Sequence, residues 1–415
     1  MKKIVALVLV LSAVLMADNI LQDAINKAKP GSKLELPAGI YKGNIVIDKP
    51  LIIDGVNKKA IIEGDGKGTV VTIKSSNVTL KNLTIRHSGK EHEKVDAGIS
   101  VKNAHGSNDT IIKHVKIINN DIKDCLFGID LQMVSNSEVI GNYITSKKFS
   151  LGLRGDGIRL WYSNDNLIKN NRLYKSRDFV VWYSHGNHID HNIGEYGRYS
   201  LHFMYAGKNI VTNNVYKHNS VGIYFMYSRD SIATGNLIEN SLGTTGLGIG
   251  LKDCSNFTIK NNTIIYCARG FYIDRSPFEP GTHDYIENNR ILYNSIGVKF
   301  HSLSIANIFK RNIIKGNIEN VVNDSFNMKV TENVWDQNYW DDYEGFDRNG
   351  DGIGDNPYID YQYADKVWML NPNIKFFYGS PVISILNFIA KLAPISEPVK
   401  LLEDKHPMME ESKIL

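Results

Sequence analysis

The feature that most constrains this fold is a regular recurrence of asparagine along the sequence. Asparagine followed shortly by Ile, Leu or Val recurs at gaps of 22, 29, 21, 22, 22, 26, 27, 23 and 21 residues. Its members are Asn120, Asn142, Asn171, Asn192, Asn214, Asn236, Asn262, Asn289, Asn312 and Asn333. A period near 22 that tolerates insertions is typical of stacked coils in a parallel β-helix, because extra residues bulge out at a turn. An α-helical repeat would be longer, with apolar residues every three or four positions.

Each coil also carries a strand whose residues alternate between apolar and other types. The segments are 128–132, 157–163, 179–184, 200–206, 222–228, 248–253, 270–274 and 297–301. Alternation places one wholly apolar column inward, namely Leu131, Leu160, Val181, Phe203, Phe225, Leu251, Ile273 and Phe300. Such strands bury a face only by stacking on their neighbours. We therefore predict an all-β parallel β-helix of about ten coils of 21–29 residues, with asparagine ladders at the turns.

The outward positions of the middle coils form what we call the Met–Trp patch. It comprises Trp161, Trp182, His202, Met204, Tyr224 and Met226. Since Phe-Met-Tyr occurs at 203–205 and again at 225–227, Met204 and Met226 should lie side by side on rungs about 4.8 Å apart. Thioether and imidazole suit Cu(I), so His202, Met204 and Met226 are candidate copper ligands.

The same patch has a second interpretation. Exposed aromatic and Met side chains commonly mark protein interfaces, so the patch is also a candidate partner-binding surface, and the two roles can coexist. Asp130 and Arg159, stacked in one outward column, are expected to form an ion pair that braces it.

The N-terminus has the layout of a secretory signal peptide over residues 1–17. Two lysines precede the apolar run from Ile4 to Met16, and small Ala17 follows; a short membrane anchor is the alternative. Removing Lys2 and Lys3 lowers the net charge from +4 to +2, which is too small to favour nucleic acid. We expect a periplasmic protein whose residues 18–335 form the β-helix, capped by a helix near Ile20–Ala28.

The three cysteines cannot all pair. None forms a C-x-x-C motif, so we expect small buried side chains, with a Cys254–Cys267 bridge as an option.

Residues 336–378 are rich in Asp, Gly and aromatic residues and contain a partial calcium-loop motif. Its predicted ligands are Asp347, Asn349, Asp351, the Ile353 carbonyl and Asp355. Position 12 is Tyr358, where a bidentate Glu belongs. The alternative is a tight Asp/Gly turn that needs no ion.

Residues 379–415 are predicted to form an amphipathic helix and a tail. The helix places Val382, Ile385, Leu386, Ile389 and Leu392 on one stripe, and it is too short to span a bilayer. It is expected to cover the end of the β-helix or to dock into a membrane partner. The tail adds His406, Met408 and Met409, without a rigid frame predicted for them.

The signal, the asparagine-counted coils, the Phe-Met-Tyr pair, the NYWDDYEG…DGIGDNPY segment and the C-terminal helix together resemble the NosD family over nearly the whole chain. The resemblance implies a right-handed parallel β-helix of the carbohydrate-binding and sugar-hydrolase type. It also implies a periplasmic accessory protein for maturation of the copper-sulfur centre of nitrous oxide reductase, handling copper or a sulfur species. The implied partners are an ABC transporter of a NosY-type permease and a NosF-type ATPase, the reductase itself and a copper chaperone. No catalytic residue carries over.

The rival hypothesis is a polysaccharide lyase, epimerase or hydrolase, which would need converging acids on the groove face. Asp156 is the nearest approach, and the column register places no second carboxylate beside it. A passive adhesin would explain the coils but not the Met–Trp patch.

Overall fold

The computed structural model describes residues 19–103, 111–324, 332–362, 371–377, 380–392 and 399–414. The chain divides into two compact units, residues 1–245 and 246–415. The predicted signal peptide lies outside the described residues. The predicted domain borders after residues 17, 335 and 378 stay predictions.

The first unit is a right-handed parallel β-solenoid whose turns each contribute strands to three parallel sheets. The first sheet contains β1 (Ser32–Glu35), β4 (Leu51–Asp54), β7 (Thr79–Lys81), β11 (Lys116–Ile118), β15 (Glu138–Ile140), β18 (Leu167–Lys169), β21 (His188–Asp190), β24 (Ile210–Thr212) and β27 (Ile232–Thr234). The second contains β2 (Gly39–Lys42), β5 (Ala60–Glu63), β8 (Thr84–Arg86), β12 (Asp121–Cys125), β16 (Tyr143–Ser146), β19 (Arg172–Tyr174), β22 (Ile193–Glu195), β25 (Val215–Lys217) and β28 (Leu237–Glu239). The third contains β3 (Ile45–Ile47), β6 (Val71–Ile73), β9 (Ala97–Val101), β13 (Phe127–Gln132), β17 (Ile158–Trp161), β20 (Asp178–Trp182), β23 (Tyr199–Met204) and β26 (Val221–Met226). A small parallel pair, β10 (Ile112–Lys113) and β14 (Val134–Ser135), lies beside them.

The predicted inward column is confirmed in the third sheet. Leu160 pairs with Val181, Val181 with Phe203, and Phe203 with Phe225, each in register with the next rung. These four side chains are fully buried, and the rings of Phe203 and Phe225 stack with centroids 4.6 Å apart. Burying one large apolar side chain stabilises a fold by roughly 1.5–3 kcal/mol, so this column is a major part of the core.

The predicted asparagines from Asn120 to Asn312 form a ladder at the corner between the first and second sheets of each unit. In each rung the side-chain oxygen of one asparagine accepts two hydrogen bonds from the asparagine of the rung before, one from its backbone N–H and one from its side-chain amide. Asn192 accepts from Asn171 in this way, and Asn214 accepts from Asn192, all at 2.8–3.0 Å.

The prediction is wrong for Asn333. Asn338 accepts from Asn312 in the predicted ladder, and Asn333 accepts from Asn307 at the corner before the first sheet. A second ladder, which the sequence interpretation missed, joins Asn166, Asn187 and Asn209 at the corner before the first sheet. Both ladders are buried and satisfy backbone groups that the turns would otherwise orphan.

The predicted N-terminal helix is confirmed as α1 (Ile20–Lys27). Leu21 and Ile25 are buried, and Asn19 caps the first turn through the N–H of Gln22. The side chain of Gln22 then accepts from the N–H of Val46 at 2.7 Å and donates to its carbonyl at 3.1 Å. The Gln22 amide thus pairs with the backbone groups of Val46 in β3. Unpaired groups on an edge strand could otherwise bind a strand of another chain.

The second unit is built from the same three-sheet turns. Its first sheet contains β30 (Thr258–Lys260), β33 (Asp284–Glu287), β36 (Asn307–Lys310), β39 (Val334–Asp336), β42 (Val399–Asp404) and β41 (Tyr358–Gln362). Its second contains β31 (Thr263–Ile265), β34 (Arg290–Leu292), β37 (Ile313–Lys315) and β40 (Tyr339–Trp340), and its third contains β29 (Leu247–Lys252), β32 (Arg269–Asp274), β35 (Ile296–His301) and β38 (Glu319–Asn323). The second sheets hold nine described strands in the first unit and four in the second, so the described chain makes about thirteen turns instead of the ten predicted. The extra turns come chiefly from residues before Asn120, where the recurrence of asparagine is absent.

The C-terminal tail has a frame that the sequence interpretation did not foresee. β42 pairs with β39 in parallel through Trp335 and Asp404, and β41 pairs with β42 antiparallel. Asp404 is fully buried and accepts from Asn338, both backbone and side chain, and from the indole N–H of Trp340. Met408 is buried against Leu292 and Ile313, so it is a core residue rather than a loose thioether.

The remaining helices of the described residues are short. They are α2 (Pro381–Leu392) and 3₁₀ turns at Leu151–Leu153, Pro372–Phe377 and Glu411–Lys413. The optional Cys254–Cys267 bridge does not form: both thiols are buried and face the carbonyls of Lys252 and Ile265 at 3.4 and 3.5 Å. Cys125 is also a buried thiol, as expected.

Candidate functional site

The Met–Trp patch lies at the ends of β17, β20, β23 and β26. Trp161 pairs with Trp182, Trp182 with Met204, and Met204 with Met226 across successive rungs. The adjacent column pairs Val180 with His202 and His202 with Tyr224. The structure therefore brings all six predicted patch residues together, and Met204 and Met226 are neighbours in register.

His202 is the best-defined donor in the patch. Its Nε2 lies 3.2 Å from Sδ of Met226, across one rung. Although it points away from the core, only 7% of His202 is exposed, because neighbouring aromatic rings cover it. Tyr199 stacks on the imidazole with centroids 4.7 Å apart, and Trp182 meets it edge-on at 5.6 Å.

This cover sets the protonation of His202. Burial lowers its pKa to about 4, against a smaller opposing effect of Asp178, so the imidazole is neutral at physiological pH. Its Nδ1 and the Nε1 of Trp182 are buried and, within the described residues, have no hydrogen-bond partner. Buried polar atoms without partners are costly and frequently mark functional positions.

A tyrosine ladder borders the patch and was missed at the sequence level. Tyr162, Tyr183, Tyr205 and Tyr227 each follow a patch residue directly and stack with centroids 4.9, 5.2 and 4.9 Å apart. All four have positive φ near 50°, the conformation that turns the chain out of the third sheet. Tyr162, Tyr205 and Tyr227 are 50%, 45% and 37% exposed, so the third letter of the Phe-Met-Tyr repeat forms an aromatic surface. The recurrence of Tyr one residue after each outward position was the available signal.

The predicted brace is present. Arg159 donates to the Asp130 carboxylate at 2.8 Å, and its guanidinium lies 4.8 Å from the ring centroid of Trp161. Asp130 also accepts from Ser100 and Gln132. The pair therefore anchors one edge of the patch through a cation–π contact.

The expectation that no second carboxylate lies near Asp156 is wrong. Arg177 contacts Asp156 at 2.9 Å and Asp178 at 3.5 Å, and Arg198 also pairs with Asp178. Burial and the charge of Asp178 raise the pKa of Asp156. The comparison of equivalent strand positions missed this cluster because Asp156 lies before β17 begins and so belongs to none of the strand columns.

The calcium-loop residues form a turn held by their own side chains. Asp347 accepts from the N–H groups of Gly350 and Gly352, both at 2.7 Å, and Asp351 accepts from that of Ile353 at 2.8 Å. Asp355 accepts from the N–H of Arg348. Tyr358 lies in β41, where its ring stacks on Trp340, so the twelfth position offers no ligand. Among the described residues no group of three or more His, Cys, Asp or Glu is placed to hold a metal, and calcium stays a prediction.

Helix α2 carries a broad apolar surface. The predicted stripe is exposed: Val382 at 66%, Ile385 at 57%, Leu386 at 48%, Ile389 at 47% and Leu392 at 69%. Phe388 is exposed as well, and Ile383 alone among these apolar residues is buried. In the described part of the chain no helix has both the length and the apolar character needed to cross a bilayer.

Comparison with known proteins relates part of this chain to one family. Residues 140–345, which contain the whole Met–Trp patch, match the model of the periplasmic copper-binding protein family NosD. The chain contains a NosD-family domain. Residues 68–193 also match the model of the right-handed β-helix region.

Two NosD proteins are similar along most of the chain. The "probable ABC transporter binding protein NosD" of Pseudomonas aeruginosa is 28% identical over 402 residues, covering 92% of this chain and 89% of that protein. The protein of the same name from Stutzerimonas stutzeri is 28% identical and covers 91% and 87%. Among solved structures, the A-module of a mannuronan C-5 epimerase from Azotobacter vinelandii aligns with a TM-score of 0.54 at 15% identity, covering 75% of this chain and 92% of that one. This last similarity shows the β-helix fold alone.

Proposed function

We propose that this NosD-family chain is a periplasmic accessory protein that handles copper for maturation of the copper-sulfur centre of nitrous oxide reductase. The observation that carries the proposal is the 3.2 Å approach of His202 Nε2 to Met226 Sδ. The family description as periplasmic and copper-binding supports it. In this role copper is cargo that the protein receives and passes on.

The donor set suits Cu(I) rather than a harder cation. His202 is neutral, so one ring nitrogen keeps a lone pair without losing a proton. Met204 and Met226 supply thioethers from adjacent rungs. Soft sulfur and imidazole donors select Cu(I), whereas Mg²⁺ and Ca²⁺ require oxygen ligands that the patch does not offer.

A Cu(I) titration of the purified protein against Met204→Leu/Met226→Leu tests the site. We expect the double variant to bind Cu(I) about tenfold more weakly or worse, since each thioether contributes a metal bond. Quenching of Trp182 fluorescence on copper addition is a second readout, because its ring lies against His202. The control is Met409→Leu, which removes a thioether in the second unit, outside the patch. Equal affinity in parent and patch variant would exclude these ligands and leave the patch as a docking surface.

The proposed partners follow from two surfaces. The relatives are named as ABC transporter binding proteins, which supports docking to a transporter of NosY-type permease and NosF-type ATPase. The exposed apolar stripe of α2 suits a permease surface, and the tyrosine ladder beside the patch suits the reductase or a copper chaperone. The transporter would then dock on the second unit, while the reductase or the chaperone would dock beside the proposed copper ligands.

The copper and sulfide content of the reductase distinguishes between copper and a sulfur species as the cargo. In cells that make the reductase, the Met204→Leu/Met226→Leu variant should be exported normally while the reductase loses copper from its copper-sulfur centre. Loss of sulfide with retention of copper would instead identify a sulfur species as the cargo. Export depends on residues 1–17, and N-terminal sequencing of the periplasmic protein checks their removal.

A carbohydrate-active enzyme is the second candidate, and the Asp156–Arg177–Asp178 cluster favours it. Both carboxylates are nearly buried, at 4% and 3% exposed, and each is neutralised by arginine, which is poor access for a polymer. Release of unsaturated sugars from uronan polymers, abolished by Asp156→Asn, would establish the enzyme and overturn the accessory role.

A further inference from the structure

The first unit contains a cavity that includes no residue of the Met–Trp patch and that the proposed function does not use. It measures about 1000 Å³ and lies beside the turns that lead from the second sheet to the third. Its walls come from Gly66, His87, Ser88, Lys90, Lys123, Asp124, Tyr143, Thr145, Ser146, Lys147, Lys148 and Phe149.

Two insertions build this cavity. Residues 175–177 are enough to connect β19 to β20, whereas residues 87–96 connect β8 to β9 and residues 147–157 connect β16 to β17. The insertions are joined where the His92 ring nitrogen contacts the carbonyl of Leu153 at 3.0 Å. Phe149 packs on a buried cluster of Ala97, Leu126 and Phe127, which fixes the second insertion to the core.

The cavity is strongly biased toward positive charge. Lys90, Lys123, Lys147 and Lys148 line it together with His87, and Asp124 is the sole carboxylate among the lining residues. That carboxylate is already engaged by His87 at 3.1 Å and Lys147 at 3.6 Å. Lys90 and Lys148 are exposed, and within the described residues neither forms an ion pair. Surplus ammonium groups around a concave surface attract anions.

The lining also discriminates between kinds of anion. Its serine hydroxyls are occupied, because Ser88 donates to Gly89 and accepts from Leu126, while Ser146 donates to Leu126. Lys123 and Lys147 are paired with Asp121 and Asp124, so Lys90 and Lys148 are the ammonium groups of the lining left to bind a ligand. The other hydroxyls of the lining belong to Tyr143 and Thr145. A saccharide needs acceptors for its hydroxyl groups, whereas a carboxylate needs only donors. Lysine ammonium groups on flexible stems adapt to carboxylates at variable spacing, and the rings of Tyr143 and Phe149 offer contacts for apolar side chains.

We propose that this cavity binds an acidic peptide segment of a partner protein, one in which Asp and Glu alternate with an aromatic or aliphatic residue. The charge surplus recognises the carboxylates, and Tyr143 and Phe149 receive the apolar side chain. The site is separate from the copper ligands, so it stands or falls independently of copper handling.

Fluorescence anisotropy with a labelled Asp/Glu-rich peptide containing a central Phe tests the proposal. The parent should bind it, and raising the salt from about 0.05 to 0.5 M should weaken binding. Lys90→Glu/Lys148→Glu, both at exposed positions, should lower the affinity about tenfold or more. The control Lys208→Glu/Lys260→Glu makes the same charge change at exposed lysines outside the cavity and should retain binding.

Three outcomes would overturn the proposal. Equal loss in both double variants would show unspecific charge attraction, and no binding by the parent would show no site. Tighter binding of an oligogalacturonate than of the peptide, lost in Lys90→Glu/Lys148→Glu, would make the cavity a saccharide site. Cu(I) affinity should be unchanged in both variants, which separates this result from the copper proposal.

Discussion

His202 shows how a side chain on the outside of a solenoid can be buried and kept neutral. Its position on β23 directs it outward, yet the ring is covered by Tyr199 on its own strand and Trp182 on the preceding rung. The cover removes water from the imidazole and keeps it neutral. The ring therefore stays neutral beside the Met226 thioether at any pH well above 4, which is the state that the copper proposal requires.

Acidification should destabilise the protein through His202. Its pKa is about 4 in the folded chain and near the ordinary 6.5 when unfolded, so the unfolded state binds the extra proton between these values. The stability present above pH 6.5 is therefore lost as pH falls toward 4, by roughly 2–3 kcal/mol. Urea unfolding at several pH values should show that His202→Phe loses less stability than the parent over this window. His185→Phe, at an exposed turn position, should behave like the parent.

How far the site was predictable depended on whether its residues belong to the strand columns. Met204 and Met226 were placed correctly because a 22-residue coil fixes the rung of each. Asp178 was missed as a neighbour of Asp156 because their contact runs through Arg177 at the strand entrance. The tyrosine ladder was missed because a residue with positive φ leaves the alternating pattern that identifies a strand. Periodicity predicts residues that recur in every turn, such as the strand columns and the asparagines, and it says nothing of the single contacts that Asp156 and Asp178 make at a strand entrance.

At the scale of elements, the asparagine ladders hold successive turns together, and the tail covers the last turn of the second unit. The ladder that includes Asn192 was predictable, since one residue type at a fixed period implies one repeated hydrogen-bonding environment. The tail was not, because β42 joins β39 across more than 60 residues of sequence and no local pattern encodes that pairing. Asp404 fixes the tail to the last turn, because its carboxylate accepts hydrogen bonds from the backbone and side chain of Asn338 and from the indole of Trp340.

Removing that carboxylate should loosen the end of the second unit. Asp404→Ala leaves several buried donors without an acceptor, and we expect it to lower the free energy of unfolding by about 3 kcal/mol or more. Glu403→Ala, which loses a partly exposed contact with Lys400, should cost less than about 1 kcal/mol. Chemical denaturation of both variants measures the difference. Similar values would mean that the tail adds little to stability.

Calcium binding by residues 347–355 should be weak. The loop has the side-chain oxygens of a calcium site, but Tyr358 replaces the bidentate carboxylate and is held in β41. We expect a dissociation constant of about 10⁻⁴–10⁻³ M, the range of extracellular modules. Calorimetric titration should show this binding disappear in Asp347→Asn/Asp351→Asn and persist in Glu344→Gln. Micromolar binding, or none in the parent, would contradict the expectation.

At the scale of the whole molecule, the proposed copper ligands and the proposed transporter surface belong to different units of the chain. His202, Met204 and Met226 are in the middle turns of the first unit, while the exposed apolar face of α2 belongs to the second. The lining of the cationic cavity ends at Phe149, before the strands β23 and β26 that carry His202, Met204 and Met226. A solenoid suits this arrangement, because each turn contacts mainly its neighbours and can acquire a surface without disturbing a distant one.

Helix α2 should contribute to transporter binding and not to folding. Ile385→Glu/Ile389→Glu places two charges on side chains that are 57% and 47% exposed, so the thermal midpoint should change little. Association with a detergent-solubilised permease–ATPase complex should weaken about tenfold or more, measured by interferometry. Ser384→Glu, on the same helix and also exposed, is the matched control. A marked fall in the thermal midpoint would instead indicate that the stripe packs against the protein.

The buried Asp404 has a consequence for how such a chain could lengthen. Each asparagine of the second unit's ladder accepts from the rung before and donates to the rung after, from Asn262 through Asn289 and Asn312 to Asn338. A carboxylate accepts from Asn338 but has no hydrogen to pass on. Duplication of a turn upstream would therefore keep the chain of hydrogen bonds continuous. A turn added after Asp404 could not continue it, because the carboxylate has no hydrogen to donate to the next rung.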